Sequence, residues 1–349
     1  MGILRSVTYL FWNTQERRLR AAWRILVQLF IFLALSSIPG VLFASVAVLM
    51  SGNFQALLEP TGSFYAWLQV ASAIASLLAI LISLLIAGKL LDRRPFADFG
   101  FHFRSGWWSD LGFGLLLGAF LMLMIFGVEY LAGWVMIVET FQSNVRSVSF
   151  STGLVMSVIL FLCVGIYEEA FSRGYHLRNI AEGLAFPALG AKRALVLGWV
   201  LSSTIFGALH LGNPGASIIS TINISVAGLL LGLGFILTGE LAIPIGLHIT
   251  WNFFQGNVFG FPVSGTTPFV SLIGIQQGGP ELLTGGVFGP EAGLIGLLAM
   301  LLGGLLIVLW VRRRYGRASI QERLALYFPV NKRREELVAS SESSFGEQG

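Results

Sequence analysis

Ionisable and polar side chains stand inside or beside long apolar stretches of this chain, in three separate segments. They are Glu168, Glu169 and Arg173, then His210, then His248 and Asn252. A charged side chain in hydrocarbon costs about 2.5–3.5 kcal/mol even on the gentler insertion scales. Because several such residues occur in three segments, the sequence predicts one shared polar site inside a membrane.

The residue types in these segments suit hydrolysis of an amide bond by water. A carboxylate such as Glu168 can deprotonate water, and a histidine such as His210 can hold that water or a metal ion. His248 and Asn252 are one helical turn apart, so both can donate hydrogen bonds to an oxyanion in one pocket. Together they predict a hydrolytic site.

Each segment also has a simpler explanation. Glu169 and Arg173 share a helix face, so they can pair as interfacial charges at the end of a span. A lone histidine near a helix end, such as His210, usually packs or meets the interface. An intramembrane Asn can act only as a link between helices. Two adjacent glutamates fit the interfacial explanation poorly, and the combination favours function.

The composition excludes a soluble globular protein. Hydrophobic residues make up 55% of 349 and charged residues 11%, whereas soluble domains carry about 25% charge. The mean hydropathy is +0.78. The net charge of +4 comes from basic clusters beside apolar runs, which indicates membrane topology rather than nucleic-acid binding. A single cysteine, Cys163, excludes an internal disulfide.

Eight apolar runs are long enough to cross a bilayer as helices. They are Ile25–Met50, Ala66–Gly88, Leu111–Met136, Thr152–Tyr167, Ala194–Leu211, Ser217–Thr238, Leu241–Asn257 and Ala292–Val311. The predicted fold is therefore all-α: a polytopic integral membrane protein with about eight transmembrane helices and an intramembrane polar cavity. The predicted parts are an N-terminal segment (1–24), a membrane domain (25–311, motif core about 150–256) and a partly disordered tail (312–349).

The distribution of Lys and Arg predicts the orientation. Basic residues cluster before the first run, around Arg93 and Arg94, between the fourth and fifth runs, and at Arg312–Arg314, whereas alternate loops contain little beyond Arg146. By the positive-inside rule both termini are then cytoplasmic. The Gly/Pro-rich loop Asn257–Glu291 should be irregular and lie on the other side.

The ordered set of motifs resembles a known family. Glu-Glu-x-x-x-Arg, Phe-x-x-x-His and His-x-x-x-Asn on successive membrane helices are similar to the CPBP intramembrane proteases, which include the type II CAAX prenyl endopeptidases and the bacterial Abi proteins. The motifs run from Glu168 to Asn252. Each motif alone is weak, but the ordered set is specific. The first three runs carry no family signature.

The resemblance implies a role for each residue. Glu168 would activate water, and His210 would bind that water or a metal. His248 and Asn252 would form the oxyanion site, and Glu169 with Arg173 would orient and neutralise it. Glu168, His210 and His248 offer a three-ligand set for zinc, but the same residues support a metal-free mechanism, and spacing does not decide between them.

The resemblance therefore implies an intramembrane endopeptidase in a bacterial cell membrane. Its partners would be the bilayer and a membrane-associated peptide or protein, with no nucleic acid. Two alternatives stay open: a non-catalytic immunity or scaffold protein of the same fold, and a proton-coupled transporter, although no inverted repeat is visible. Because Glu168 precedes the basic segment Arg173–Arg193, we expect the cavity to open toward the cytoplasm.

Hydropathy predicts different depths in the bilayer for Glu168 and His210, although the two should meet at one site. It puts Glu168 near the cytoplasmic end of its span and His210 toward the opposite face. The two meet if the helix of Glu168 continues past Tyr175, so that Glu168 lies near mid-depth, or if the helix of His210 tilts or starts outside the bilayer.

Overall fold

Long helices dominate the computed structural model, which describes residues 10–51 and 62–328. Seven of them are long and apolar enough to cross a membrane, so the all-α polytopic prediction is confirmed. The helices are α1 (Ala21–Ser51), α2 (Ser63–Ala87), α3 (Ser105–Leu131), α4 (Phe150–Glu169), α5 (Arg178–Leu184), α6 (Gly190–Leu209), α7 (Ile218–Thr238), α8 (Ala242–Phe253), α9 (Glu281–Thr284) and α10 (Leu294–Tyr315).

The helix that carries the two glutamates is longer than hydropathy predicts. After α4 the chain continues through a π-helical segment, Ala170–Leu177, directly into α5, and the whole span runs from Phe150 to Leu184. The predicted span Thr152–Tyr167 ended early because charged residues follow it, but most of these charges are paired inside the protein. Glu168 therefore lies near the middle of its span.

The seventh predicted span, Leu241–Asn257, differs from the other seven. Its α-helix, α8, has only 12 residues and is followed by a π turn, Phe254–Val258. At 1.5 Å per residue, the α-helical part covers about 18 Å of a hydrocarbon core about 30 Å thick. Most of α8 is buried among α3, α4 and α7, so it packs as a core helix within the bundle.

The structure also contains strands that the sequence did not predict. The strand β3 (Val135–Ser143) pairs antiparallel with β4 (Val270–Gln277), and a short ribbon, β1 (Trp12–Asn13) with β2 (Arg18–Leu19), precedes α1. The predicted third span reached Met136, but α3 ends at Leu131, followed by Gly133 with φ of 72°. The loop expected to be irregular supplies β4.

The bundle has two chemically different ends. The sheet end is formed by residues 132–149, 210–217 and 259–293 and includes β3 and β4. The basic end is formed by residues 10–20, 88–104, 185–189, 239–241 and 316–328. Part of the predicted tail, residues 316–328, packs at the basic end, where Leu324 and Ala325 are buried. The remaining tail, 329–349, lies outside the described residues.

Small residues bring the helices of the core close together. On α3, Gly114 and Gly118 lie against the backbone of α8, and Gly246 on α8 lies against α3. On α7, a side chain at Gly228 would come within 3.0 Å of Ser203 on α6. Close backbone approach at such positions is typical of packed membrane helices. These contacts fix α8 beside α3 and α7 beside α6.

Candidate active site

Glu169 forms the centre of the polar cluster. Its side chain is fully buried, and its Oε1 atom accepts from Arg173 Nη1 at 2.8 Å and from His248 Nδ1 at 2.8 Å. The pair of Glu169 with Arg173 predicted from the i+4 spacing is therefore present. The same carboxylate also ties α4 to α8, which the sequence did not reveal.

Arg173 is held by more than its carboxylate partner. Its Nη2 atom donates to the Gly228 carbonyl oxygen on α7 at 3.1 Å, and its guanidinium lies 4.3 Å from the centre of the Phe206 ring on α6. Close approach of α7 at Gly228 is what brings this carbonyl within reach. Arg173 therefore joins α4, α6 and α7 around one buried charge.

Glu168 points away from this pair and toward open space. Its side chain is 21% exposed, and it lines an internal cavity. Its Oε1 atom accepts from the Tyr167 hydroxyl at 3.3 Å, and its Oε2 atom lies 3.9 Å from His248 Nε2. A carboxylate that reaches water beside an imidazole has the surroundings that a general base requires.

His248 lies between the two glutamates. Its Nδ1 atom bonds to Glu169, so Nδ1–H donates and the ring orientation is fixed. Its Nε2 atom then faces the cavity and Glu168. Asn252, one turn further along α8, also lines the cavity, and within the described residues its carboxamide makes no hydrogen bond. The Asn252 carboxamide can therefore donate into the cavity, and His248 Nε2 can do so when the ring carries both protons.

His210 is oriented by the residue one turn before it. Its Nδ1 atom lies 2.8 Å from the Phe206 carbonyl oxygen. A carbonyl can only accept, so Nδ1 carries the proton, and Nε2 of the neutral ring is an acceptor. His210 lines the same cavity as Glu168, His248 and Asn252. The structure thus brings together all four residues that the prediction placed at one site.

The cavity has a volume of about 210 Å³. Its walls are largely apolar and come from α4, α6, α7, α8 and α10, with Leu160, Phe161, Leu230, Leu247 and Met300 among them. Asn213, Ser264 and Thr266 lie at its mouth, and all belong to loops of the sheet end. The sequence predicted an opening toward the basic end, but the described lining residues lie between the middle of the bundle and the sheet end.

The proposed zinc ligands do not form a metal site as they are arranged. Within residues 10–51 and 62–328, no group of three or more His, Cys, Asp and Glu side chains is placed to hold a metal ion. His248 turns Nδ1 to Glu169, and His210 turns Nδ1 to a carbonyl. A zinc ion held by Glu168, His210 and His248 thus stays a prediction that requires movement of these side chains.

A second buried carboxylate, Glu291, lies in the cavity wall and was not predicted as a site residue. Its Oε1 atom accepts from the backbone N–H of Ser264 at 2.6 Å and from its hydroxyl at 3.1 Å, and Gln255 donates to Oε2. Burial raises the pKa of Glu291 to about 7. Glu291 therefore fixes the turn at Ser264, which also lines the cavity. One of two glutamates in a Gly/Pro-rich loop gave no sequence signal for this.

Three of the titratable residues outside the cluster also have partners in the fold. Glu129 is buried and accepts from Gln277 of β4 at 2.7 Å. His176 is buried against the Phe171 ring. His102 pairs with Glu240 at 2.7 Å, and Asp98 and Glu240 raise its pKa to about 9. These residues support the packing of loops and helices.

Comparison with known proteins agrees with the motifs. Residues 150–254 match the family model of the type II CAAX prenyl endopeptidases, Rce1-like. The predicted family resemblance is thereby confirmed for α4 to α8, which hold every residue of the polar cluster. This is a peptidase family. No curated protein and no solved structure matches the chain.

Proposed function

We propose that the protein is an intramembrane endopeptidase that hydrolyses a peptide bond of a membrane-associated polypeptide. The observation that carries this proposal is the meeting of Glu168, His210, His248 and Asn252 in one cavity. A base, a water acceptor and two donors for an oxyanion are the groups that amide hydrolysis by water requires. The family match covers the same residues.

In the proposed reaction, water lies between Glu168 and His210. Glu168 takes a proton from the water as its oxygen attacks the carbonyl carbon of the substrate. The resulting oxyanion accepts hydrogen bonds from Asn252 Nδ2 and from Nε2–H of His248 in its doubly protonated form, whose Nδ1–H is held by Glu169. Glu168 then gives its proton to the leaving amine as the carbon–nitrogen bond breaks, so the site returns to its starting state.

The buried pair supports these steps indirectly. Glu169 holds His248 by Nδ1, which directs Nε2 toward the substrate. Arg173 compensates the charge of Glu169, because a buried, uncompensated carboxylate would be costly. Glu169 and Arg173 are therefore positioning residues in this mechanism, and Glu168 is the catalytic base.

The cavity fits internal cleavage better than removal of terminal residues. Among the described residues that line it, there is no Lys or Arg. A carboxypeptidase would need a cation to bind the terminal carboxylate of its substrate. The apolar walls instead suit a chain segment that continues beyond the scissile bond.

The test is cleavage of a pool of internally quenched peptides by purified protein, with wild type compared with Glu168→Gln. The substitution keeps the shape but removes the base, so turnover should fall by about 10²–10⁴-fold. Glu139→Gln, on exposed β3, is the matched control and should cleave normally. Near wild-type turnover in Glu168→Gln would show that Glu168 is not the base.

The same assay also tests metal dependence and the non-catalytic alternative. Parallel reactions with a chelator measure whether turnover needs a divalent metal. A wild-type protein that cleaves no peptide with or without added zinc would contradict the proposed function and favour a non-catalytic protein of the same fold.

A further inference from the structure

A second groove adjoins the cavity at the sheet end. It has a volume of about 390 Å³ and shares Gln69 and Thr266 with the cavity. Its other walls come from the N-terminal turns of α2, the loop after β3, the loop between α6 and α7 and the loop before β4, with Tyr65, Asn144, Pro214, Thr267 and Phe269. The shared residues place the two spaces side by side, between the surface of the sheet end and Glu168.

The path is closed toward the basic end. Below Glu168, the buried pair Glu169–Arg173 fills the space between α4, α7 and α8. Farther along the same helix, Glu182 pairs with Arg18 at 2.9 Å and with Arg24 at 3.3 Å, and both arginines are buried. These packed ion pairs separate the cavity from the basic end.

The charge distribution assigns the two ends to opposite faces of the membrane. The sheet-end loops 132–149, 210–217 and 259–293 contain a single basic residue, Arg146. The basic end, in contrast, includes Arg93, Arg94 and Arg317, and the last helix reaches it with the cluster Arg312–Arg314. The positive-inside rule places such a basic end in the cytoplasm, which leaves the sheet end on the other face.

We infer that the substrate reaches Glu168 from the non-cytoplasmic face, through the groove between α2 and the loops around β3 and β4. This rests on the proposed peptidase function. The substrate class is then a polypeptide segment that lies outside the cytoplasm and belongs to a membrane-anchored protein. A protein modified and anchored only on the cytoplasmic face does not reach this opening.

The lining of the groove indicates what the segment looks like. Its described residues include Tyr65, Pro214 and Phe269 as apolar surface and Gln69 and Asn144 as amides, and none carries a charge. Amide side chains can hydrogen-bond to a peptide backbone, and aromatic rings give apolar contact. The groove thus fits an extended, uncharged stretch of chain next to the scissile bond.

The orientation is tested with single cysteines in a Cys163→Ser background. Ser147→Cys reports on the sheet end and Ser319→Cys on the basic end; both positions are exposed. With a membrane-impermeant maleimide on intact cells, Ser147→Cys should be labelled and Ser319→Cys should be labelled only after permeabilisation. The reverse pattern would overturn the assignment of the sheet end to the non-cytoplasmic face.

The path is tested by blocking it. Thr267 is exposed in the groove, and a bulky maleimide on purified Thr267→Cys should remove most cleavage of the quenched peptides. Each rate is compared with that of the same variant before modification. Modified Ser319→Cys serves as the control and should keep its rate.

The outcomes separate the inference from the proposed function. Full modification at Thr267→Cys with no change in rate overturns the path, even if the enzyme is a peptidase. Loss of cleavage on modification of Ser319→Cys instead places the opening at the basic end and also overturns it. If the unmodified proteins cleave nothing, the peptidase proposal itself fails, whatever the labelling pattern.

Discussion

At the scale of single residues, Glu169 is the side chain on which the site depends. One of its oxygens accepts from both Arg173 and His248, and within the described residues the other oxygen has no hydrogen-bond partner. A buried carboxylate with such partners is stable only while its cation is present. The stability of the buried cluster therefore depends on Arg173.

Replacing Arg173 by alanine should cost both stability and activity. The change leaves the Glu169 carboxylate buried without its cation, at about 3–5 kcal/mol for a fully buried pair. It also removes the contacts to the Gly228 carbonyl and the Phe206 ring. Thermal unfolding in detergent and peptide cleavage, measured on the same preparation, check both effects.

The double variant Glu169→Gln with Arg173→Ala is the matched control, because it removes the buried charge together with its partner. It should recover part of the lost stability but little of the activity, since His248 no longer faces a carboxylate. An Arg173→Ala protein that melts like wild type but is inactive would show that Arg173 acts in the chemistry itself.

The sequence predicted the pair of Glu169 with Arg173 but not the other contacts of the site. The spacing of Glu169 and Arg173 is local, and helix geometry alone predicts their contact. The bond from His248 to Glu169 joins residues far apart in sequence, and Glu291 reaches Ser264 through an irregular loop. Such contacts depend on tertiary packing, for which residue spacing carries no information.

At the scale of elements, hydropathy found the helices but misjudged three boundaries. The span from Phe150 continues to Leu184 because internal partners neutralise its charges. The run Leu241–Asn257 is apolar because it is buried in protein, not because it is long enough to meet lipid across the bilayer. The third predicted span runs on into the first two residues of β3, Val135 and Met136, since a window average does not distinguish a strand from a helix.

The contact of α3 with α8 should be sensitive to a single methyl group. A side chain at Gly114 would overlap the carbonyl oxygen of Ile243, so Gly114→Ala should lower the free energy of unfolding by about 1–3 kcal/mol. It should also reduce cleavage, because α8 carries His248. Thermal unfolding and turnover are the measurements.

Gly112→Ala, on the same helix, is the control for this change. Nothing lies within 4 Å of a side chain built there. It should therefore be neutral or stabilise the helix by up to about 1 kcal/mol. Equal effects of the two substitutions would mean that helix propensity, not close packing with α8, determines the result.

At the scale of the whole molecule, the polar groups of the two ends have separate tasks. The cavity near the sheet end holds the predicted chemistry, whereas Glu182 at the basic end joins arginines from four parts of the chain. Its partners are Arg18, Arg24, Arg94 and Arg178. This network ties the segment before α1 and the loop after α2 to the helix of the site.

Glu182→Gln should therefore destabilise the protein without changing the chemistry. The buried arginines lose their shared anion, and the expected cost is about 3–5 kcal/mol. The rate per folded molecule should stay near that of wild type, because the cavity contains none of these groups. Glu322 is exposed at the same end. Glu322→Gln should therefore change neither the stability nor the rate per folded molecule. A fall in the rate per folded molecule of Glu182→Gln would contradict this separation.

The π-helical segment Ala170–Leu177 lies between these two clusters on one continuous helix. It sets the angle at which Glu169 faces α8 and Glu182 faces the arginines of the basic end. Removing one residue from it would rotate everything beyond by about 100°. Such a deletion could leave every motif residue in the sequence, yet only one of the two clusters could then form. The length of this segment is thus as much a part of the site as the identity of its residues.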